Sequence, residues 1–95
     1  MENITLSNFK GETFTASVYF SNEFKGRGGW NIICEVSANG QKKSFKEFTT
    51  NSGFIDALGD LRAENSSWET IQEFYYDNFF EGFEEIILEW LEGIK

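Results

Sequence analysis

The succession of hydrophobic periods along the chain predicts an α+β fold, a four-stranded antiparallel sheet (meander) followed by two or three C-terminal helical segments packed on one face. Three observations predict it. Apolar and polar residues alternate through most of residues 3–49. An Asn39-Gly40 pair, a strong hairpin signal, separates two of the alternating stretches. From about residue 52 onward, apolar residues recur every three or four positions, as on one face of a helix. At 95 residues the chain is expected to form a single domain, with strands within about 3–49 and helices at about 52–62 and 67–94.

The first strand is the weakest, running from Ile4 to Phe9 and turning at Lys10-Gly11. In the second, Phe14, Ala16, Val18 and Phe20 point one way and Thr13, Thr15, Ser17 and Tyr19 the other. The third repeats the pattern with Trp30, Ile32, Cys34, Val36 and Ala38. A type I′ turn at Asn39-Gly40 needs positive φ at both central residues, which Asn and Gly tolerate best. In the fourth strand Phe45 and Phe48 are three apart, so a bulge near Lys46-Glu47 is expected if both face the core.

Thr50, Asn51 and Ser52 offer N-caps to a first helix with Phe54, Ile55, Leu58 and Leu61 on its apolar face. Gly59 weakens that helix and argues for a short one. Ser66 and Glu69 have the spacing of a capping box for a second helix, with Asn78 and Gly82 as candidate break points. Its apolar side is read as Trp68, Ile71, Tyr75, Phe79, Phe83, Ile86 and Trp90. In an unbroken helix Phe74 and Leu88 fall among acids, while Phe80 and Leu91 lie near the edge of the acidic side, so either the helix breaks near Asn78–Gly82 and each piece buries its own stripe, or these are exposed anchors within an acidic rim.

Seventeen aromatic residues, eleven of them Phe, supply bulk to a small core. The N-terminus lacks a cationic region followed by an apolar run, and no stretch is long and apolar enough to span a bilayer. Cys34 is the only cysteine, so no internal disulfide forms and a cytoplasmic location is expected. The net charge is −8 and unevenly placed: from Ala63 to Ile94 there are nine acids and no base. Direct binding of nucleic acid or of an anionic membrane is disfavoured, and a cationic partner fits better.

Little in the chain supports catalysis. Histidine is absent, which removes the commonest general base and most nucleophile–base pairs. Cys34 is in phase with the core residues and reads as a buried, inert thiol. Lys25-Gly26-Arg27-Gly28-Gly29 resembles an anion-binding loop in composition but not in pattern, and reads as a connection between strands. Lys42, Lys43 and Lys46 read as protection for an exposed strand. Asp77, Asn78, Glu81, Glu84 and Glu85 match no metal-loop spacing, so no metal or other cofactor is expected.

The unusual feature is the acidic row Glu69, Glu73, Asp77, Glu81, Glu85 and Glu89, at intervals of four. Each neighbouring pair is a like-charge contact costing about 0.2–0.5 kcal/mol, or about 1–2.5 kcal/mol for the row before screening. The candidate partner-binding residues are Glu69, Glu73, Phe74, Asp77, Glu81, Glu84, Glu85, Leu88 and Glu89. They describe a non-enzymatic acidic module for a basic protein surface. Its most concrete form is an inhibitor that occupies the nucleic-acid-binding surface of a partner. The alternative is a homo-oligomeric assembly domain, a homodimer in the simplest case, and an enzyme is the least favoured reading. An ordinary solvated helix face is the competing explanation of the row.

Overall fold

The computed structural model describes residues 2–26, 28–50 and 53–94. It shows a four-stranded antiparallel meander with the order β1-β2-β3-β4, followed by two helices. The strands are β1 (Glu2–Ser7), β2 (Thr13–Gly26), β3 (Gly29–Ala38) and β4 (Gln41–Thr49). The helices are α1 (Gly53–Ala63) and α2 (Trp68–Ile94).

Alternation sets the buried face. Ile4 and Leu6 of β1, Ala16, Val18 and Phe20 of β2, and Ile32, Cys34, Val36 and Ala38 of β3 are all buried in one cluster. The Ala38↔Gln41 pairing closes a two-residue hairpin, with Asn39 at φ 51° and Gly40 at φ 77° as a type I′ turn requires. Gly26 of β2 pairs with Gly29 of β3, so the ends of the basic glycine-rich segment lie side by side. Arg27 lies outside the described residues. β1 ends at Ser7, two residues earlier than expected, because Asn8 starts the turn. Its Oδ1 accepts from the backbone N–H groups of Lys10 and Glu12, each at 3.0 Å, and Phe9 is left fully exposed.

The expected bulge in β4 is absent. The β3–β4 register is continuous from Trp30↔Thr49 to Ala38↔Gln41, so Phe45 shares the core face with Cys34 and Phe48 shares the outer face with Asn31. Phe48 is 57% exposed, but its ring lies on Gly29, where a Cβ would collide with the ring. The glycine therefore accommodates the phenylalanine on the outer face, and no extra residue is needed to turn it inward.

Both helix junctions are closed by hydrogen bonds. Asn65, at φ 58°, ends α1 in a Schellman motif: the Ser66 N–H donates to the Leu61 carbonyl at 3.0 Å, and the Asn65 N–H to that of Arg62 at 3.1 Å. Ser66 is thereby committed to the end of α1, and the cap of α2 passes to Ser67. Its hydroxyl accepts from the Thr70 N–H at 3.2 Å. The Ser66–Glu69 capping box expected from the sequence is not formed. The candidate caps Asn51 and Ser52 of α1 lie outside the described residues.

α2 is unbroken through Asn78 and Gly82. Its 27 residues span about 40 Å, the long dimension of a molecule measuring 42 × 29 × 23 Å. The buried side chains are Gln72, Tyr75, Phe80, Phe83, Ile87 and Leu91. Phe80 and Leu91 are inside and Trp68 and Ile86 are exposed, which corrects the face expected from the sequence. Beyond Tyr75 the buried stripe advances by four residues per step on average, so it winds around α2 as the helix crosses the twisted sheet. Phe20 stacks on Tyr75 with ring centres 5.9 Å apart, and Phe54 of α1 bridges Trp30 and Phe79 at 6.1 and 5.2 Å.

Polar contacts join α2 to one edge of β2. Among the described residues the β1–β2 pairing reaches Glu2↔Val18, and β2 continues past that point. There the Phe20 N–H donates to Gln72 Oε1 at 2.7 Å, and Gln72 Nε2 donates to the Phe20 carbonyl at 2.9 Å. The side-chain amide of Gln72, 4% exposed, stands where the next peptide of β1 would be. Tyr75 Oη accepts a hydrogen bond from Asn22 Nδ2 one step further along the same edge. Gln72→Leu leaves both Phe20 backbone groups buried and unpaired. It is expected to lower stability by about 2–4 kcal/mol, whereas the neighbouring exposed Glu73→Gln changes it little. Urea titrations of the two variants measure the difference.

Candidate functional site

The acidic row is laid out by the same periodicity that builds the core. Tyr75, Phe79, Phe83, Ile87 and Leu91 also lie at intervals of four, and all of them are buried or half-buried. Asp77, Glu81, Glu85 and Glu89 each follow a member of that row by two residues, about 200° around the helix. The two rows wind together, so the carboxylates keep to the side opposite the sheet. From Glu69 to Glu89 the row covers about 30 Å.

All eight acids of α2, Glu69, Glu73, Asp77, Glu81, Glu84, Glu85, Glu89 and Glu92, are exposed. Among the described residues none of them forms an ion pair. The two ion pairs found lie on the sheet, Lys25–Glu23 at 2.8 Å and Lys42–Glu35 at 3.9 Å. Lys25 holds the Glu23 carboxyl below its ordinary range through a hydrogen bond and its charge. Arg62, exposed in the last turn of α1, is the one base on the described part of the helices. It lines a shallow cleft with Tyr19 and Trp68, whose rings stack at 5.8 Å.

Phe74 and Leu88 are set apart from the acids around them. Each is half-buried and packed against the core. Phe74 shares a shallow cleft with Gly53, Phe54 and Ala57 of α1, and Leu88 shares one with Ser7, Asn8 and Phe9 at the β1–β2 turn. The sequence offered a broken helix or exposed anchors to explain them. The structure shows a third arrangement, in which flanking elements reach around the sides of an unbroken helix. The sequence reading passed over Ile86, 43% exposed beside Phe45 and Trp90, because the expected stripe placed it in the core.

The chemistry on offer is that of a charged surface. No group of three or more metal-ligating side chains occurs among the described residues, and no helix is long and apolar enough to cross a membrane. Cys34 is fully buried, and burial pushes its thiol up from 9.0 to about 12. The thiol therefore stays protonated and unreactive near neutrality. Burial also raises the Tyr75 hydroxyl above its ordinary value. Comparison with family models, curated proteins and solved structures finds no match to this chain.

Two solution properties follow from this geometry. The acids of α2 repel one another across water, so the melting temperature is expected to rise when NaCl is added from low to moderate concentration. Melts at several salt concentrations check this, and a falling melting temperature contradicts it. Cys34 is neutral in the fold up to about pH 12 but ionises near pH 9 once unfolded. Its share of stability is fully present below about pH 9 and is lost as pH rises toward 12. Cys34→Ala should therefore show a shallower alkaline decline than the parent. Thiol reagents should label the folded parent far more slowly than the unfolded chain.

Proposed function

We propose that the chain is a non-enzymatic binding module that uses the exposed side of α2 to occupy a basic surface on another protein. The observation that supports this reading is the continuous row of carboxylates on α2, unrelieved by any ion pair among the described residues. Solubility alone does not require a row without any cation, because interspersed charges of both signs with a net excess of one also keep a surface soluble. A cationic surface docked on the ridge would remove that repulsion and draw the partner in over the range of a Debye length. The favoured location is cytoplasmic.

In its most concrete form, the module competes with DNA or RNA for the nucleic-acid-binding surface of its partner. Acids four apart rise about 6 Å along the helix, whereas one DNA strand carries a phosphate every ~3.4 Å. The ridge alone is a sparse imitation of a phosphate backbone, so Glu84 and Glu92, off the main row, add to the negative surface. Phe74 and Leu88 border the ridge as parts of the core, and the carboxylates carry the recognition.

The test begins with capture of partners from a lysate of the source organism, eluted by rising salt, followed by association kinetics with the purified partner. Changing Glu73, Asp77 and Glu81 together to Gln removes three charges while keeping helix propensity. The variant should fold at least as well as the parent and associate at least about tenfold more slowly at low salt, with the difference shrinking as salt is raised. Equal rates for parent and variant at low salt would place the interface elsewhere.

A further inference from the structure

The open edge of the sheet at β4 carries a second, independent signal. β4 pairs with β3 alone, so the outer edge of residues 41–48 has no strand partner among the described residues. Three lysines on this strand oppose indiscriminate pairing. Their positions relative to Phe45, Glu47 and Phe48 nevertheless make the strand complementary to itself. We infer that β4 pairs antiparallel with β4 of a second copy of this chain, in the register that places Phe45 opposite Phe45, to give a continuous eight-stranded sheet in a two-fold dimer.

The register follows from the alternation of faces. On the core face, which bears Lys43, Phe45 and Glu47, each Lys43 comes opposite Glu47 of the second copy, and the two Phe45 rings meet at the axis. On the outer face, each Lys42 comes opposite the exposed ring of Phe48, and each Lys46 opposite Ser44. No pair directly opposed in this register has like charge. A slip of two residues, the smallest that keeps both core faces on one side, is unfavourable in either direction. One slip sets Lys42 against Lys46 twice, and the other sets Lys46 against its own copy.

Two features of the separate chain agree with this pairing. Glu47 has no ion-pair partner among the described residues. Its carboxylate stands over the backbone of Gly82, where a Cβ would lie 2.6 Å from Oε2. Along the same border, Phe45 and Trp90 are half-buried, with ring centres 6.3 Å apart, and Ile86 is 43% exposed. A second strand would extend the sheet beneath this apolar border. The acidic side of α2 points away from the sheet, so the dimer leaves both ridges open on one face. A single pair of short strands buries less than a standard interface, so the dimer is weak and concentration-dependent.

Sedimentation equilibrium of the full chain over about a hundredfold concentration range tests the inference, with thermal melts confirming that each variant is folded. The parent should pass from monomer to dimer. Lys43→Glu and Glu47→Lys should each weaken dimerisation by at least about tenfold, because each puts like charges face to face. The double variant Lys43→Glu/Glu47→Lys restores opposite charges and should recover the parent's behaviour. A general charge effect would move the two single variants in opposite directions, since one raises and the other lowers the net negative charge. A parent that stays monomeric throughout overturns the proposal, as does a dimer unaffected by the single variants or a double variant that fails to recover.

Discussion

α2 has to cover nearly the whole core face of the meander, because α1 is only 11 residues long and reaches just the end near Trp30. A sheet of this size buries one face and leaves the other in water, and an uncovered apolar face would not remain monomeric or folded. The length of α2, its lack of a break and the winding of its buried stripe all follow from that demand. So does the acidic row, since a helix that keeps a row of every fourth residue on the sheet keeps the row two positions on in solvent. The charge pattern and the core are two readings of one period.

The polar detail serves the same end. Among the described residues β2 runs on past its pairing with β1. A buried backbone N–H and carbonyl at that point would be costly, and only a side chain carrying both a donor and an acceptor in an amide plane satisfies the two together. Gln72 meets that requirement with an amide side chain that is itself buried in the core. At the opposite edge, residues 41–48 of β4 have no strand partner among the described residues.

Much of this was legible in the sequence for physical reasons. Period-two alternation and the Asn39-Gly40 turn are local signals, so the strands and their order could be read directly. Most of the misreadings share one cause, that the deciding partner lies outside the local stretch. Phe48 looks like a core residue until Gly29 is seen beneath it on the neighbouring strand. Phe80 and Leu91 appear marginal on an ideal helical projection, because the projection ignores the twist of the sheet that the helix follows. Ser66 and Ser67 are equally good caps until the end of α1 takes the first of them. Gln72 has no local signature, and only the distant backbone of Phe20 gives it a role. The acids of α2 were legible as residues, while their solvent-facing placement along the full helix needed the buried row to be located.

The partnership of Phe20 and Gln72 also bears on the order in which the chain becomes structured. The two residues are 52 apart, and the entire meander precedes the first residue of α2. During synthesis the strands emerge first, with the edge of β2 and the apolar face both unshielded until the last 27-residue element follows. Hairpins with tight turns close early, because their loops are short, whereas docking of the helix has to wait for contacts of long sequence separation. The late segment is also the most negatively charged part of the chain, so the emerging polypeptide gains charge repulsion between molecules while its sheet is still uncovered. Repulsion between these carboxylates is expected to oppose association of chains whose helix has not yet docked.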